Sequence, residues 1–218
     1  MRTKLIVIEG LDGCGKTTQI ELLKKDFPYC KFITFPNYNS NSGKIIKSYL
    51  EGGFPEQNNR VNVYSASCFY AVDRYTSFKT SWEFDYLAKN PIVSARYVSS
   101  NAIFQMTKLD KSDWQNYLDW LYDLEYCKLG LPRPTDMIFL NVPVEYTRKL
   151  LMHRYQGNLK SLDILERDAD FAQKCYDTAH FLAEKENWHI LECVSNGELR
   201  SIESIHTELT DILKEALE

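Results

Sequence analysis

Apolar residues along this chain fall into two kinds of run, and the way the runs alternate predicts the architecture. Five short runs, Lys4–Glu9, Lys31–Phe35, Pro91–Ala95, Asp136–Val142 and Trp188–Cys193, are mostly continuous in Ile, Val, Leu and Phe rather than alternating with polar residues. Strands buried on both faces read this way, so the runs predict a parallel sheet covered by helices. Between them the spacing is helical. Lys16–Phe27 is closed by Pro28, and Asn58–Ser81 places Val61, Tyr64, Ser65, Cys68 and Phe69 at helical intervals. Lys111–Lys128, Glu145–Tyr155, Asp163–Lys185 and Ile202–Leu217 complete the set. Strand followed by helix, repeated, builds right-handed crossovers. The predicted fold is α/β, a five-stranded parallel sheet with helices on both faces, and ligands are expected beyond the carboxyl ends of the strands.

No Pro/Gly/Ser-rich linker or internal repeat divides the 218 residues, so a single domain spanning 1–218 is expected. The net charge of −4 argues against broad nucleic-acid binding. The apolar run Leu5–Ile8 is too short for a signal peptide, with Glu9 and Asp12 following at once, and no run reaches membrane-spanning length. The six cysteines form no CxxC pair. They read as free thiols in a reducing, cytoplasmic compartment, with the five outside Cys14 serving as small buried side chains.

The segment Gly10-Leu11-Asp12-Gly13-Cys14-Gly15-Lys16-Thr17 fits G-x-x-x-x-G-K-[ST], with a predicted strand before it and a predicted helix after it. Gly10, Gly13 and Gly15 permit backbone turns that bring N–H groups close to phosphate, and the helix amino terminus adds a positive dipole end. Lys16, read as an exposed loop side chain, supplies charge for the β- and γ-phosphates of ATP. Thr17 offers a hydroxyl to Mg²⁺, and Cys14 and Thr18 complete the predicted ATP-binding set with Arg148. The middle strand ends in Ala95 rather than in an acid, which sets the chain apart from hydrolytic switches. Instead it carries arginines near strand ends (Arg74, Arg96, Arg133, Arg148, Arg154) and aromatics (Phe35, Tyr38, Tyr70, Tyr97, Phe104). Arginines grip phosphates in bidentate fashion and aromatic faces stack on bases, so a second, smaller nucleotide is the expected phosphate acceptor.

Six stretches carry a resemblance. They are Ile8–Gln19, Phe35-Pro36, Phe69–Arg74, Arg96–Gln105, Leu129–Asp136 and Asp163–Asp168, of which RY-x-x-SNA and GLPRP-x-D are the most specific. The chain resembles thymidylate kinases, P-loop nucleoside monophosphate kinases, particularly those of low-GC Gram-positive bacteria. That resemblance implies transfer of the γ-phosphate of MgATP to dTMP, and a homodimer through the long helix, where Val63, Phe69, Tyr70, Tyr75 and Phe78 occupy more than one face. By position, Asp12 is the carboxylate near the deoxyribose 3′-hydroxyl and Mg²⁺, and Tyr70 is the ring stacked on thymine. Arg74 is the donor to thymine O4, and Asn101 and Gln105 are further base contacts. Arg96 holds the acceptor phosphate, and Phe104 excludes a ribose 2′-hydroxyl. Phe35, Tyr38 and Ser100 complete the acceptor site. A mobile lid is expected over about 148–170, with Arg148, His153, Arg154 and Lys160. Because Leu11–Cys14 holds no arginine, Arg154 is the first choice for transition-state charge. Ser195–Glu198 stands where the family loops around adenine.

Two departures from the family pattern stand out. Ala95 replaces an expected Asp before Arg96-Tyr97, leaving Glu9, Asp73 or Glu166 as the substitute acid; Glu166 also joins Thr17 and Asp12 as an expected metal ligand. Tyr38 replaces an expected Arg after Phe35-Pro36, leaving Lys44 or Arg60 as the substitute cation. Two other readings stay open at this stage: a kinase for another pyrimidine deoxynucleotide, or a nucleotide-binding protein with weakened catalysis.

Overall fold

The computed structural model describes residues 2–54, 61–156 and 168–218. At its centre lies β1 (Leu5–Glu9), in which every residue is buried. It is flanked by β3 (Ile92–Ala95) and β4 (Asp136–Asn141), and the edges are β2 (Lys31–Thr34) and β5 (His189–Glu192). The order β2–β3–β1–β4–β5 is parallel throughout. Successive residues of β1 serve opposite faces, which is why the run is apolar at every step. Ile6 and Ile8 pack with Ile20 and Leu23 of α1 (Lys16–Asp26) and with Leu209 and Leu213 of α9 (Ile202–Leu217). Leu5 and Val7 pack into the other core, with α5 (Val98–Phe104), α6 (Trp114–Tyr122) and α8 (Ala169–Lys185). Each fully buried Leu, Ile or Val contributes about 1.5–3 kcal/mol, so the two faces together fix the strand register.

The five predicted strands agree with the structure to within a residue or two at each end. The predicted Asn58–Ser81 helix is α3 (Val63–Ser77), which widens into π-helical turns over Phe78–Trp82 and continues as the short α4 (Glu83–Leu87); residues 58–60 lie outside the described residues. The predicted Lys111–Lys128 helix is one rod with a tight turn at Lys111–Asp113, then α6, then wide turns over Asp123–Lys128. Asp168 caps α8 through Phe171 N, 2.9 Å away, so that helix begins at Ala169. Further elements that were not predicted are α2 (Asn41–Leu50), capped by Ser40, the seven-residue α5, and a hairpin of β6 (Val194–Ser195) and β7 (Glu198–Leu199). By contrast, α7 (Val144–Arg154) matches the predicted Glu145–Tyr155 helix to within one residue at each end. All six cysteines are unpaired, but Cys68 and Cys127 are exposed, not buried as expected, because each faces outward from its helical turn. No helix among the described residues is long and apolar enough to cross a membrane.

Candidate functional site

The loop between β1 and α1 turns on glycine. Gly15, the N-cap of α1, has φ 84, and Gly13 has φ 81. A Cβ on Gly13 would lie 2.7 Å from both the Thr147 carbonyl oxygen and Leu151 Cγ, so α7 packs directly on this loop. Lys16 folds back, and its Nζ donates to the Gly10 carbonyl at 2.9 Å and approaches Cys14 Sγ at 3.5 Å. It is buried, not an exposed loop side chain. Burial, followed by repulsion from Arg96, lowers its pKa, and an anion in the loop would relieve both effects. Asp12, Gly13, Cys14, Gly15, Lys16 and Thr17 line one cavity with Ala95, Arg96 and Arg154. Gly10 contributes through its carbonyl, whereas Thr18 is exposed one position further along α1 and does not line the cavity.

Arg96 follows β3 with φ 67, a region that costs a non-glycine residue about 1–3 kcal/mol. Two hydrogen bonds hold it there: Ser94 Oγ donates to its carbonyl at 2.6 Å, and its own N–H donates to the Ile8 carbonyl at 3.1 Å. The turn aims the guanidinium at Asp12 (Nη2 to Oδ1, 2.5 Å), beside Glu9 Oε2 at 3.9 Å and over the Phe104 ring at 4.9 Å. Burial opposes its charge, but Asp12 and Glu9 raise its pKa above the ordinary arginine range. Its Nη1 is buried without a hydrogen-bond partner among the described residues. Glu9 is fully buried and accepts from Tyr97 N (3.2 Å), Ser99 Oγ (2.6 Å) and Ser100 Oγ (2.8 Å). Of the three candidate substitute acids, then, Glu9 stands beside Arg96. Asp73 is spent elsewhere, accepting from Asn37 N, Ser40 Oγ and Ser42 Oγ to tie α3 to the loop before α2. Glu166 lies outside the described residues.

A second cleft opens beside the first and shares Asp12 and Arg96 with it. It is walled by Phe35, Pro36, Tyr38, Leu50 and Tyr70, together with Ser100 and Phe104. Its polar lining is Arg74, Asn101 and Gln105. Arg74 is almost fully buried, and its Nε and Nη2 donate to the two oxygens of Glu125, both at 2.6 Å, while Nη1 donates to the Tyr97 carbonyl at 3.2 Å. Burial works against its charge, and the Glu125 carboxylate more than restores it. Asn101 Nδ2 donates to the Ser67 carbonyl (3.1 Å) and Glu125 Oε1 (3.2 Å). Gln105 Oε1 accepts from Lys108 (2.9 Å). The sequence reading missed Glu125 and Lys108. Glu125 had a signal, because it falls in helical register with Leu118 and Leu121, and a carboxylate on a buried stripe needs a buried partner.

Other expected residues lie apart from this pair of cavities. Arg133 precedes β4, at the amino ends of the strands, and stacks on Tyr126 with 4.2 Å between guanidinium and ring, so it does not join Arg96 and Arg154 at the loop cavity. Lys44 is exposed and donates to Asn41 at 3.3 Å, away from the cleft, because α2 turns it to solvent; Arg60 lies outside the described residues. Arg148 lines a neighbouring cavity with Asp12, Phe104 and Cys175 rather than the one holding Lys16 and Thr17. Ser195–Glu198 is the tight turn of the β6–β7 hairpin, docked on α7 by the Tyr146 hydroxyl, which donates to the Gly197 carbonyl at 2.5 Å. His153 is exposed on α7, and Lys160 lies outside the described residues, as do the other residues of 157–167 in the expected lid.

A phosphate loop facing a second, base-sized cleft across shared Asp12 and Arg96 defines a P-loop nucleoside monophosphate kinase. A family model described as "Thymidylate kinase" matches residues 8–208, and the chain belongs to the thymidylate kinase family. It is 30% identical over 212 residues to the "Probable thymidylate kinase" of Methanocaldococcus jannaschii, covering 96% of this chain and 95% of that one. It is 29% identical over 178 residues to the "Thymidylate kinase" of Mycobacterium tuberculosis, covering 78% and 81% respectively. The solved thymidylate kinase of Candida albicans shares the fold, with a TM-score of 0.75 at 22% identity over 100% of this chain and 94% of that one.

Proposed function

We propose that this protein transfers the γ-phosphate of ATP to dTMP, giving ADP and dTDP. The observation that carries the reading is that the phosphate cavity and the acceptor cleft meet at Asp12 and Arg96, so donor and acceptor phosphates converge on one guanidinium. An acceptor phosphate oxygen forms the new bond to the γ-phosphorus while the bond to the bridging β–γ oxygen breaks. The protein's part is positioning and charge neutralisation. Lys16 and the loop N–H groups hold the donor phosphates, and the Arg96 guanidinium, which lines both cavities, donates to the acceptor phosphate. Arg154, at the phosphate cavity, supplies charge where it develops in transfer. Thr17 and Asp12 place a hydroxyl and a carboxylate on that same cavity, a hard-oxygen pair suited to Mg²⁺, which uses few protein ligands beside phosphate and water. When bound, Mg²⁺ would neutralise phosphate charge.

Base choice follows from the cleft's hydrogen-bond polarity. Arg74 can only donate, Asn101 has spent its NH₂ protons on protein acceptors, and Gln105 has committed its carbonyl oxygen to Lys108. The cleft therefore offers donor, acceptor and donor, the complement of a thymine edge with O4, N3–H and O2. Tyr70 supplies a stacking face, Phe104 fills the space a 2′-hydroxyl needs, and Asp12 accepts from the 3′-hydroxyl. This polarity and the family assignment favour dTMP over a 4-amino pyrimidine, and the intact phosphate set favours a working kinase over a non-catalytic binder. ADP release should be measured with dTMP, dCMP, dUMP and the ribose counterpart of dTMP as acceptors, with Mg²⁺ present and absent. Fastest release with dTMP, dependent on Mg²⁺, supports the reading, whereas release indifferent to the acceptor contradicts it.

The reading extends to a homodimer through α3. Cys68, Val72 and Tyr75 share one exposed face of that helix with Tyr64, whose ring also packs edge-on against Trp120, and this apolar stripe is where a second copy would pack. Val63 and Phe78 turn inward to the core.

A further inference from the structure

The geometry points to Glu125 as a positioning residue for acceptor recognition, one buried carboxylate that sets the direction of both Arg74 and Asn101. The inference rests on the acceptor reading above and adds a residue that touches neither substrate nor phosphate. Glu125 has no exposed surface and lies in the wide helical turns after α6. Its two oxygens take Arg74 Nε and Nη2 at 2.6 Å each, a fork-to-fork pair that stops the guanidinium from rotating. With that edge engaged, Nη1 is the end left for the cleft that Arg74 lines, steadied by the Tyr97 carbonyl at 3.2 Å.

The same carboxylate fixes Asn101. An ionised carboxylate accepts and never donates, and the Ser67 carbonyl likewise only accepts. Both lie within 3.2 Å of one amide position, so that position must be the NH₂ group. Turning the amide over would set its oxygen against two acceptors. The Asn101 carbonyl is therefore left facing the cleft. Glu125 in this way enforces a donor at Arg74 next to an acceptor at Asn101, which suits a 4-keto, 3-N–H edge and opposes a 4-amino edge with a bare ring nitrogen.

Steady-state kinetics on the full-length protein test this, with dTMP, dCMP and ATP each varied for wild type, Glu125→Gln and Glu125→Asp. The Gln variant presents an NH₂ group to Arg74 and frees Asn101. We expect its KM for dTMP to rise by about tenfold or more and its preference for dTMP over dCMP to fall by a similar factor, the scale set by unpairing buried polar groups in a specificity site. The KM for ATP should stay within about twofold, and kcat with saturating dTMP should change less than KM. If Glu125→Gln does not fold, Glu125→Asp keeps the charge but withdraws it by one methylene, and the same preference ratio should fall in it. A folded variant that keeps the wild-type dTMP preference overturns the role of Glu125, as does a parallel rise in both KM values. A wild type that itself prefers dCMP contradicts the acceptor reading and this polarity together, and is visible before any variant is made.

Discussion

Lys16 is 9% exposed and donates to the Gly10 carbonyl, so removing its side chain disturbs the loop as well as the phosphate site. Lys16→Ala should lower kcat by about 10²-fold or more, the usual loss for one preorganised charge. A lost hydrogen bond of about 1 kcal/mol should also lower the melting temperature by roughly 2–4 °C in a chain of this size. Full turnover in the variant, measured by ADP release, would remove this lysine from the reaction. Ala95 poses the converse case. It lines the phosphate cavity next to Arg96, which already faces Asp12 at 2.5 Å and Glu9 at 3.9 Å. A third carboxylate would crowd that arginine, so Ala95→Asp should leave kcat unchanged or reduce it. A tenfold gain, worth about 1.4 kcal/mol of transition-state stabilisation, would mean that the site lacks an acid after all.

At the scale of elements, the strands were legible because double-sided burial leaves an unbroken apolar run, and the phosphate loop because its glycines and lysine are tied to a strand and a helix. The arginines and aromatics expected at the acceptor site stood out as residue types, while Asp12, Ser100, Asn101 and Gln105 came from the family resemblance. All of these expected residues line the second cleft. What escaped were elements set by local caps and tertiary partners. The α2 helix depends on the Ser40 cap and on packing of Ile46, Tyr49 and Leu50 in a satellite core, and α5 has only seven residues after the Arg96 turn. The pairing of Arg74 with Glu125 joins residues 51 apart and leaves no periodic trace. Burial of three cysteines beneath the helices and strands also predicts a pH response. It pushes the Cys30 thiol up to about 11, and Cys175 and Cys193 to about 12, from an ordinary 9.0. The fold thus favours the neutral thiols. Their stabilising contribution is complete below about pH 9 and is lost as pH rises towards 12, at up to about 1.4 kcal/mol per pH unit for each group. Urea midpoints should fall between pH 9 and 11; a flat profile there would contradict the burial of these thiols.

At the scale of the whole molecule, assembly and catalysis make separate claims. If α3 pairs with its counterpart, light scattering at micromolar concentration should give twice the chain mass of 25.5 kDa. Cys68, on the paired face, should then react with a thiol reagent more slowly than exposed Cys127, and faster on dilution below the dimer dissociation constant. A monomeric mass with Cys68 freely reactive at all concentrations would contradict the α3 interface without touching the chemistry. The chemistry is tested most directly by following phosphorus itself. In a ³¹P NMR time course of wild-type protein with MgATP and dTMP, the account predicts that ADP and dTDP resonances grow in equal amounts with no accumulation of inorganic phosphate. Inorganic phosphate growing in place of dTDP, or ATP unchanged beside dTMP, would contradict phosphoryl transfer to thymidylate as the work of this site.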